Sequence, residues 1–435
     1  MASAPHGQVC KRIWRAACLL AAFILILVLG NFFLPADKAF NTHMFGHDFL
    51  PFYTAGQFVR MGRVDQLYDP AATKKLEHQT CDSAGLVIHN EYGAFLNPPF
   101  VALPAAGLAG WPYRTALAIW AGILAVFLLG GIWMLVRIFP AGAGWRMWGL
   151  TPLLMFCSVP VWQAAVHAQN TFFSLLVLAG TVTLWRKQRP LAAGVVAGLL
   201  SFKPQLGVVI AIALIAMQGW RAFVGVSITA LSLGVITLIA MPNAFSDYIH
   251  RMPLNLQAIQ SLPNYMWHRH ITFLAAARMM LQGHVGALAS PAARLLSIFL
   301  MLIVAAGLAW AIVSFRKDAL RTDRLIAATI VTMPLLMPYY MDYDITLLSV
   351  AAVLCAVDAI RFGYDRSVLL AWIALYIAME LNPTIAGGTN FIPAVLSLAL
   401  LSMRLIFRAL EPMAQIAAEP RVTTREQPKP LAIAA

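Results

Sequence analysis

The chain has 435 residues, of which 60% are hydrophobic and only 11% charged, and its mean hydropathy is +0.75. Soluble domains carry roughly a quarter charged residues, so in water this chain would leave apolar surface uncovered; a cytosolic globular protein, a disordered protein and a nucleic-acid binder are excluded. The net charge of +13 is therefore read as a signal of membrane orientation, because Lys and Arg collect on cytoplasmic loops.

In chain order, Lys11, Arg12 and Arg15 precede an apolar run over 13 to 34. That run is long enough to cross a bilayer and is expected to be an uncleaved first transmembrane helix with its N-terminus inside. Residues 94 to 110, which include Asn97, Pro98 and Pro99, are read as re-entrant. Further apolar segments lie at 113 to 137, 147 to 164, 170 to 186, 190 to 203, 205 to 217, 222 to 241, 292 to 315, 325 to 340, 344 to 360, 367 to 381 and 391 to 408, giving about twelve helices with the first. Several are shorter than the roughly 17 residues of a straight crossing, and Lys203 and Pro204 split the 190 to 217 region. Broken helices persist in membranes where protein or a polar cavity satisfies the freed backbone groups.

The expectation is an all-α polytopic membrane protein in which residues 1 to 411 form a single transmembrane domain. Twenty of the 31 basic residues and seven of the 18 acidic ones then fall inside, so the whole net charge lies on that side. Both termini are placed in the cytoplasm and the protein in the inner (plasma) membrane. The tail over 412 to 435, rich in Pro, Arg, Thr and Ala, reads as a disordered extension. The five scattered cysteines suggest neither a disulfide framework nor a metal site.

Two outer loops are long, 35 to 92 and 242 to 291, and with His167 at a helix end they hold nine of the ten histidines. In the first, Asp48 stands among aromatics in His47-Asp48-Phe49-Leu50-Pro51-Phe52-Tyr53, a dozen residues beyond a transmembrane helix. A carboxylate partly stripped of water there is suited to general-base work. Equally, Asp is a favoured N-cap, and Asp48 would serve as one for a helix starting at Phe49.

Several strings occur in a fixed order: Asp48-Phe49 with Tyr53-Thr54-Ala55-Gly56, Gly62 with Leu67-Tyr68-Asp69-Pro70, Asn97-Pro98-Pro99-Phe100, His167-Ala168-Gln169-Asn170, and Ser201-Phe202-Lys203-Pro204-Gln205. Together they resemble the successive motifs of glycosyltransferase family 87, once catalogued as a domain of unknown function, DUF2029. That family includes the mycobacterial mannosyltransferases of phosphatidylinositol mannoside assembly. The resemblance runs from about residue 44 to 205, and the later Met337-Pro338-Tyr339-Tyr340-Met341-Asp342-Tyr343-Asp344 is similar to the family's aromatic and acidic segment. The usual Gly-Gln pair appears here as Ala168-Gln169, and the usual Tyr-Pro-Pro as Asn97-Pro98-Pro99.

The resemblance implies a GT-C fold enzyme that moves a hexose, mannose by analogy with those relatives, from a polyprenyl-phosphate carrier to a lipid or glycan acceptor at the outer face, with inversion. Asp48 inherits the role of catalytic base. No cofactor is required; a divalent cation is conceivable at Asp342 and Asp344 but not expected. Lys203 is the first candidate for the donor phosphate, its plain alternative being a snorkelling lysine at a helix end. His268, Arg269 and His270 beside Trp267 are further phosphate candidates or an interfacial anchor. Tyr53, Gln169, Asn170, Asp342 and Asp344 are expected to contact sugar or acceptor; helix capping is the plain alternative for Asn170 and the two aspartates. The rival class is a polytopic transporter or lipid flippase, which would share the broken helices but calls for an internal repeat that the chain does not display.

Overall fold

The computed structural model describes residues 4–31, 45–86, 93–263 and 265–411. The expected disordered tail over 412–435 and the parts of the first outer loop at 35–44 and 87–92 lie outside the described residues. Eighteen α-helices run through the described chain: α1 Ala4–Asn31, α2 Leu50–Arg60, α3 Pro70–Ala84, α4 Ala102–Leu108, α5 Tyr113–Val136, α6 Trp145–Phe156, α7 Val159–Val166, α8 Thr171–Arg186 and α9 Pro190–Gly198. There follow α10 Pro204–Gln218, α11 Trp220–Ala240, α12 Ala244–Gln260, α13 Phe273–Gln282, α14 Pro291–Phe315, α15 Thr322–Thr332, α16 Leu348–Phe362, α17 Arg366–Gly388 and α18 Pro393–Leu410. The protein is thus an all-α polytopic membrane protein, as composition required.

Eleven of the twelve apolar segments are α-helical over most of their length, but they are not equal crossings. Among the described residues six helices are long and apolar enough to span a membrane, or seven if α6 and α7, bent by 57°, form one broken span. Four shorter apolar helices accompany them, among them Thr171–Arg186 and Pro204–Gln218. The expected helix over 325 to 340 is corrected: α15 is an 11-residue helix whose residues from Asp323 to Thr332 are all buried. It gives way to a 3-10 turn at Met333–Leu336 and then to extended chain, because Pro334 and Pro338 remove amide donors where the helix would continue. The 94 to 110 segment does not cross on its own, since α4 is seven residues long, about 10 Å of rise against a hydrocarbon core of about 30 Å.

The described parts of the two long loops, 45–86 and 242–291, are largely helical. Asp69 accepts from the Ala72 amide and Pro70 occupies the first turn, which starts α3; α2 and α4 pack so closely that a Cβ on Gly56 would stand 2.4 Å from the Ala105 carbonyl oxygen. This accounts for the glycine in the Tyr53-Thr54-Ala55-Gly56 string. The same device joins α9 to α11, where a Cβ on either Gly194 or Gly225 would fall 2.2 Å from a carbonyl oxygen of the other helix. Small residues that let backbones meet drive helix association in lipid, where burial against tails gains nothing.

Candidate functional site

Five hydrogen bonds and one backbone bridge bring the motif strings to one end of the bundle. The Gly46 amide donates to the Val166 carbonyl at 2.8 Å, which sets Asp48, in a 3-10 turn at His47–Phe49, against the end of α7. Asn97 Nδ2 donates to the Phe202 carbonyl at 2.9 Å, tying the Asn97-Pro98-Pro99 string to the residue before Lys203. Tyr68 donates its hydroxyl to the Asn97 carbonyl at 2.7 Å, and Asn255 Nδ2 donates to the Tyr68 carbonyl at 2.9 Å. Finally the Ile271 amide donates to Tyr340 O at 2.9 Å, and His270 bridges Met341, so the second long loop meets the late aromatic and acidic segment.

Asp48 is held by three neighbours. Gln169 Nε2 donates to its Oδ2 at 2.7 Å, His47 Nδ1 lies 3.3 Å from Oδ1, and His167 Nδ1 lies 3.6 Å from Oδ2. Burial pushes the carboxyl up, but the hydrogen bonds from His47 and Gln169 and the nearby His167 outweigh it, and Asp48 ends below its ordinary value. It is therefore ionised at neutral pH, with 27% of its side chain exposed. The N-cap alternative is set aside: α2 begins after Phe49 and receives no side-chain cap.

Beyond Asp48 lie two buried ion pairs. Lys203 Nζ donates to both Asp344 oxygens at 3.0 and 3.2 Å; Thr171 Oγ1 adds a bond to Oδ1 at 2.6 Å. Arg269 grips Asp342 through Nε and Nη2, each at 3.0 Å, and Asp342 Oδ1 also accepts from the Tyr343 amide at 2.9 Å. The Tyr343 ring sits between them, with the Lys203 ammonium 5.4 Å and the Arg269 guanidinium 5.8 Å from its centre. His167 approaches the same ring with 6.5 Å between centres. Burial presses on the Arg269 guanidinium, but Asp342 more than offsets it and raises its proton affinity.

Several sequence expectations change here. Asp342 and Asp344, expected as sugar contacts, are ion-paired in the structure, their oxygens accepting from Arg269, Lys203 and Thr171; neither caps the following helix. Among the described residues no group of three or more His, Cys, Asp or Glu is arranged to hold a metal ion. His270 is not a phosphate-binding cation: burial pushes its imidazole down to about 3, and Nε2 is 2.6 Å from the Tyr265 hydroxyl. Tyr53 is a core residue whose ring packs on Phe49 and Tyr113 and whose hydroxyl donates to the Trp111 carbonyl at 2.8 Å. His268 lies near His284, with 6.3 Å between ring centres and the rings tilted by 55°; burial and then Arg269 lower its proton affinity, so it is a neutral donor at most.

Asn170 occupies the N-cap position of α8 but makes no cap bond, and its buried Oδ1 finds no hydrogen-bond partner among the described protein groups. The same holds for His167 Nδ1. Asn170 Oδ1 is thus a buried acceptor left open beside Gln169, whereas His167 Nδ1 faces Asp48 Oδ2 at 3.6 Å.

Sequence reasoning missed His47, His167, Thr171 and Tyr343 as site members. His47 carried a signal in its adjacency to Asp48, and His167 in its position two residues before Gln169. A fifth missed residue is Glu77 on α3, wholly buried, which accepts from the Gly93 amide at 2.9 Å. Burial pushes it up to about 8, so it braces the chain ahead of Asn97 as a neutral acid at pH 7.

Ala168 adopts a left-handed φ of 54° while its carbonyl accepts from Trp120 Nε1 at 2.8 Å. That conformation explains why glycine is the usual residue of the Gly-Gln pair. Ala168→Gly is expected to stabilise the protein by about 1 kcal/mol, read as a higher unfolding midpoint in detergent; a lower midpoint would refute the strain.

The model of glycosyltransferase family 87 matches residues 95–338, more than half of the chain. The matched range includes Asn97, Gln169, Lys203 and Arg269, whereas Asp48 precedes it and Asp342 and Asp344 follow it. No curated protein and no solved structure matches. The match decides against the transporter and flippase reading, and the chain belongs to glycosyltransferase family 87, as a membrane-embedded sugar transferase.

Proposed function

We propose that the protein is a GT-C type enzyme transferring a hexose, mannose in the reading that the family resemblance favours, from a polyprenyl-phosphate sugar to a lipid or glycan acceptor at the outer face of the inner membrane. The basic residues concentrated at the opposite end of the bundle support a site facing outward with both termini inside. Asp48 takes the proton of the acceptor hydroxyl as that oxygen bonds to the anomeric carbon; the anomeric C–O bond breaks on the far side, and its electrons leave with the lipid phosphate. A carboxylate already ionised by its neighbours is ready for this step at neutral pH.

The observation that carries the reading is the placement of two paired cations around Tyr343 beside Asp48. Pairing does not spend them: Asp342 occupies Nε and Nη2 of Arg269, leaving Nη1 to a phosphate oxygen, and an ammonium has three donors. Asp344 and Asp342 keep both heads aimed and hold the empty site near neutrality. Positive charge for the leaving phosphate thus comes from side chains, and the proposed reaction needs no metal ion. Gln169 and Asn170 receive sugar or acceptor hydroxyls.

The test is transfer of labelled sugar from polyprenyl-phosphate mannose by membranes carrying the protein, with the pH dependence of kcat/KM followed for wild type and Gln169→Ala. Asp48 must be ionised, so activity falls as pH drops through its lowered pKa. Removing the Gln169 hydrogen bond withdraws one of the influences that lower it, and the acidic limb moves to higher pH. Activity that falls without any movement of that limb argues against Asp48 as base; a wild-type enzyme indifferent to every polyprenyl-phosphate sugar removes the donor assignment.

A further inference from the structure

Along α8, with its charged rim at the end away from the candidate site, a groove of about 1300 Å³ runs between α5, α8 and α9. Its walls are apolar, with Trp133, Phe173, Leu176, Val196 and Leu199 along its length. Trp133 and Leu199 are exposed, as befits a surface turned to acyl chains. The rim is different in kind: Arg137, Arg186, Lys187 and Arg361 meet there against a single carboxylate, Asp323. Arg186 is spent on Asp323 at 2.7 and 3.1 Å, and Arg361 reaches the same carboxylate at only 3.5 Å. Arg137 lies over Trp133, 4.2 Å from the ring centre, and both it and Lys187 are exposed. The 16 residues of α8 rise about 24 Å, so the rim stands at the headgroup level of the leaflet opposite Asn170 and Thr171.

We propose that this groove seats one anionic phospholipid of that leaflet, with its headgroup phosphate on Arg137, Lys187 and Arg361 and its acyl chains along the α5, α8 and α9 walls. A soluble anion leaves the apolar walls without purpose, and a zwitterionic lipid leaves the excess of cations unmatched. Basic recesses between membrane helices bind anionic headgroups on this physical basis, and Arg stacked on Trp at the boundary is pre-ordered for it. The site goes beyond sugar transfer: it uses none of the residues around Asp48, and it fixes α8, whose other end carries Asn170 and Thr171.

The experiment is native mass spectrometry of the full chain in detergent, titrated with phosphatidylglycerol or phosphatidylcholine. Phosphatidylglycerol is expected to be retained in preference, and Arg137→Gln/Lys187→Gln to weaken its binding about 30-fold. Arg316→Gln/Lys317→Gln, an equal loss of charge outside the groove, is expected to leave retention unchanged. Equal retention of the two lipids, or an equal loss in the control variant, would overturn the site. So would a raised KM for the polyprenyl donor in the groove variant, since the groove would then hold the donor's tail.

Discussion

Asp48→Asn lowers sugar transfer by roughly 10²- to 10⁴-fold, the contribution that a positioned general base makes to a rate, while the protein still folds. The substitution keeps shape and retains an oxygen that accepts from Gln169, which approaches Asp48 at 2.7 Å. What it removes is the negatively charged proton acceptor that lies beside His47 and His167. His167 does not replace it: burial lowers its proton affinity first, and Arg269 adds to that against the raising effect of Asp48. Once Asp48 is neutral, that raising effect is lost too, and the imidazole becomes a still poorer base. The measurement is the single-turnover rate on a preloaded polyprenyl-phosphate sugar, which separates chemistry from donor binding. A rate within tenfold of wild type would exclude Asp48 as base.

The parts of this molecule that the sequence disclosed are those governed by local physics. Helices α5, α11 and α14 follow from apolar runs longer than a bilayer is thick, and the break near Lys203 follows from a charge and a proline within one run. The length of α15 was not legible, because hydropathy alone runs on through Pro334 and Pro338 while the backbone does not. Helix α2 was offered only as the helix that Asp48 would cap, and α3, α12 and α13 were passed over because the two long loops are too polar for a hydropathy reading, although the Asp69-Pro70 start of α3 is a local signal. The site divides in the same way. Asp48, Gln169, Lys203 and Arg269 were each singled out by motif, but their partners lie far along the chain: 121 residues separate Asp48 from Gln169, 141 separate Lys203 from Asp344 and 73 separate Arg269 from Asp342. Nothing in one sequence states such pairings. The sequence reading therefore named the aspartates and the cations separately, without their pairing.

The second large effect concerns Lys203 and Asp344, and it turns on the difference between a structural pair and a working cation. Lys203→Met leaves the Asp344 carboxylate buried at 3% exposure, with Thr171 as its remaining side-chain donor. Stranding a buried charge in this way costs about 3 to 5 kcal/mol, and the unfolding midpoint should fall accordingly. Lys203→Met/Asp344→Asn removes the stranded charge and keeps an acceptor for Thr171, so most of that stability returns, since a buried ion pair contributes little beyond its neutral replacement. Transfer, however, does not return, because the donor phosphate has lost a cation that Arg269 cannot supply from the other side of Tyr343. Asp344→Asn alone gives the complementary result. It frees the ammonium at a cost in stability of the same order, and addition of polyprenyl phosphate then raises the unfolding midpoint more than in wild type, because the ligand binds the folded state alone. A purely structural pair predicts otherwise: the double variant would regain transfer along with stability, and Lys203 would then have no part in holding the donor.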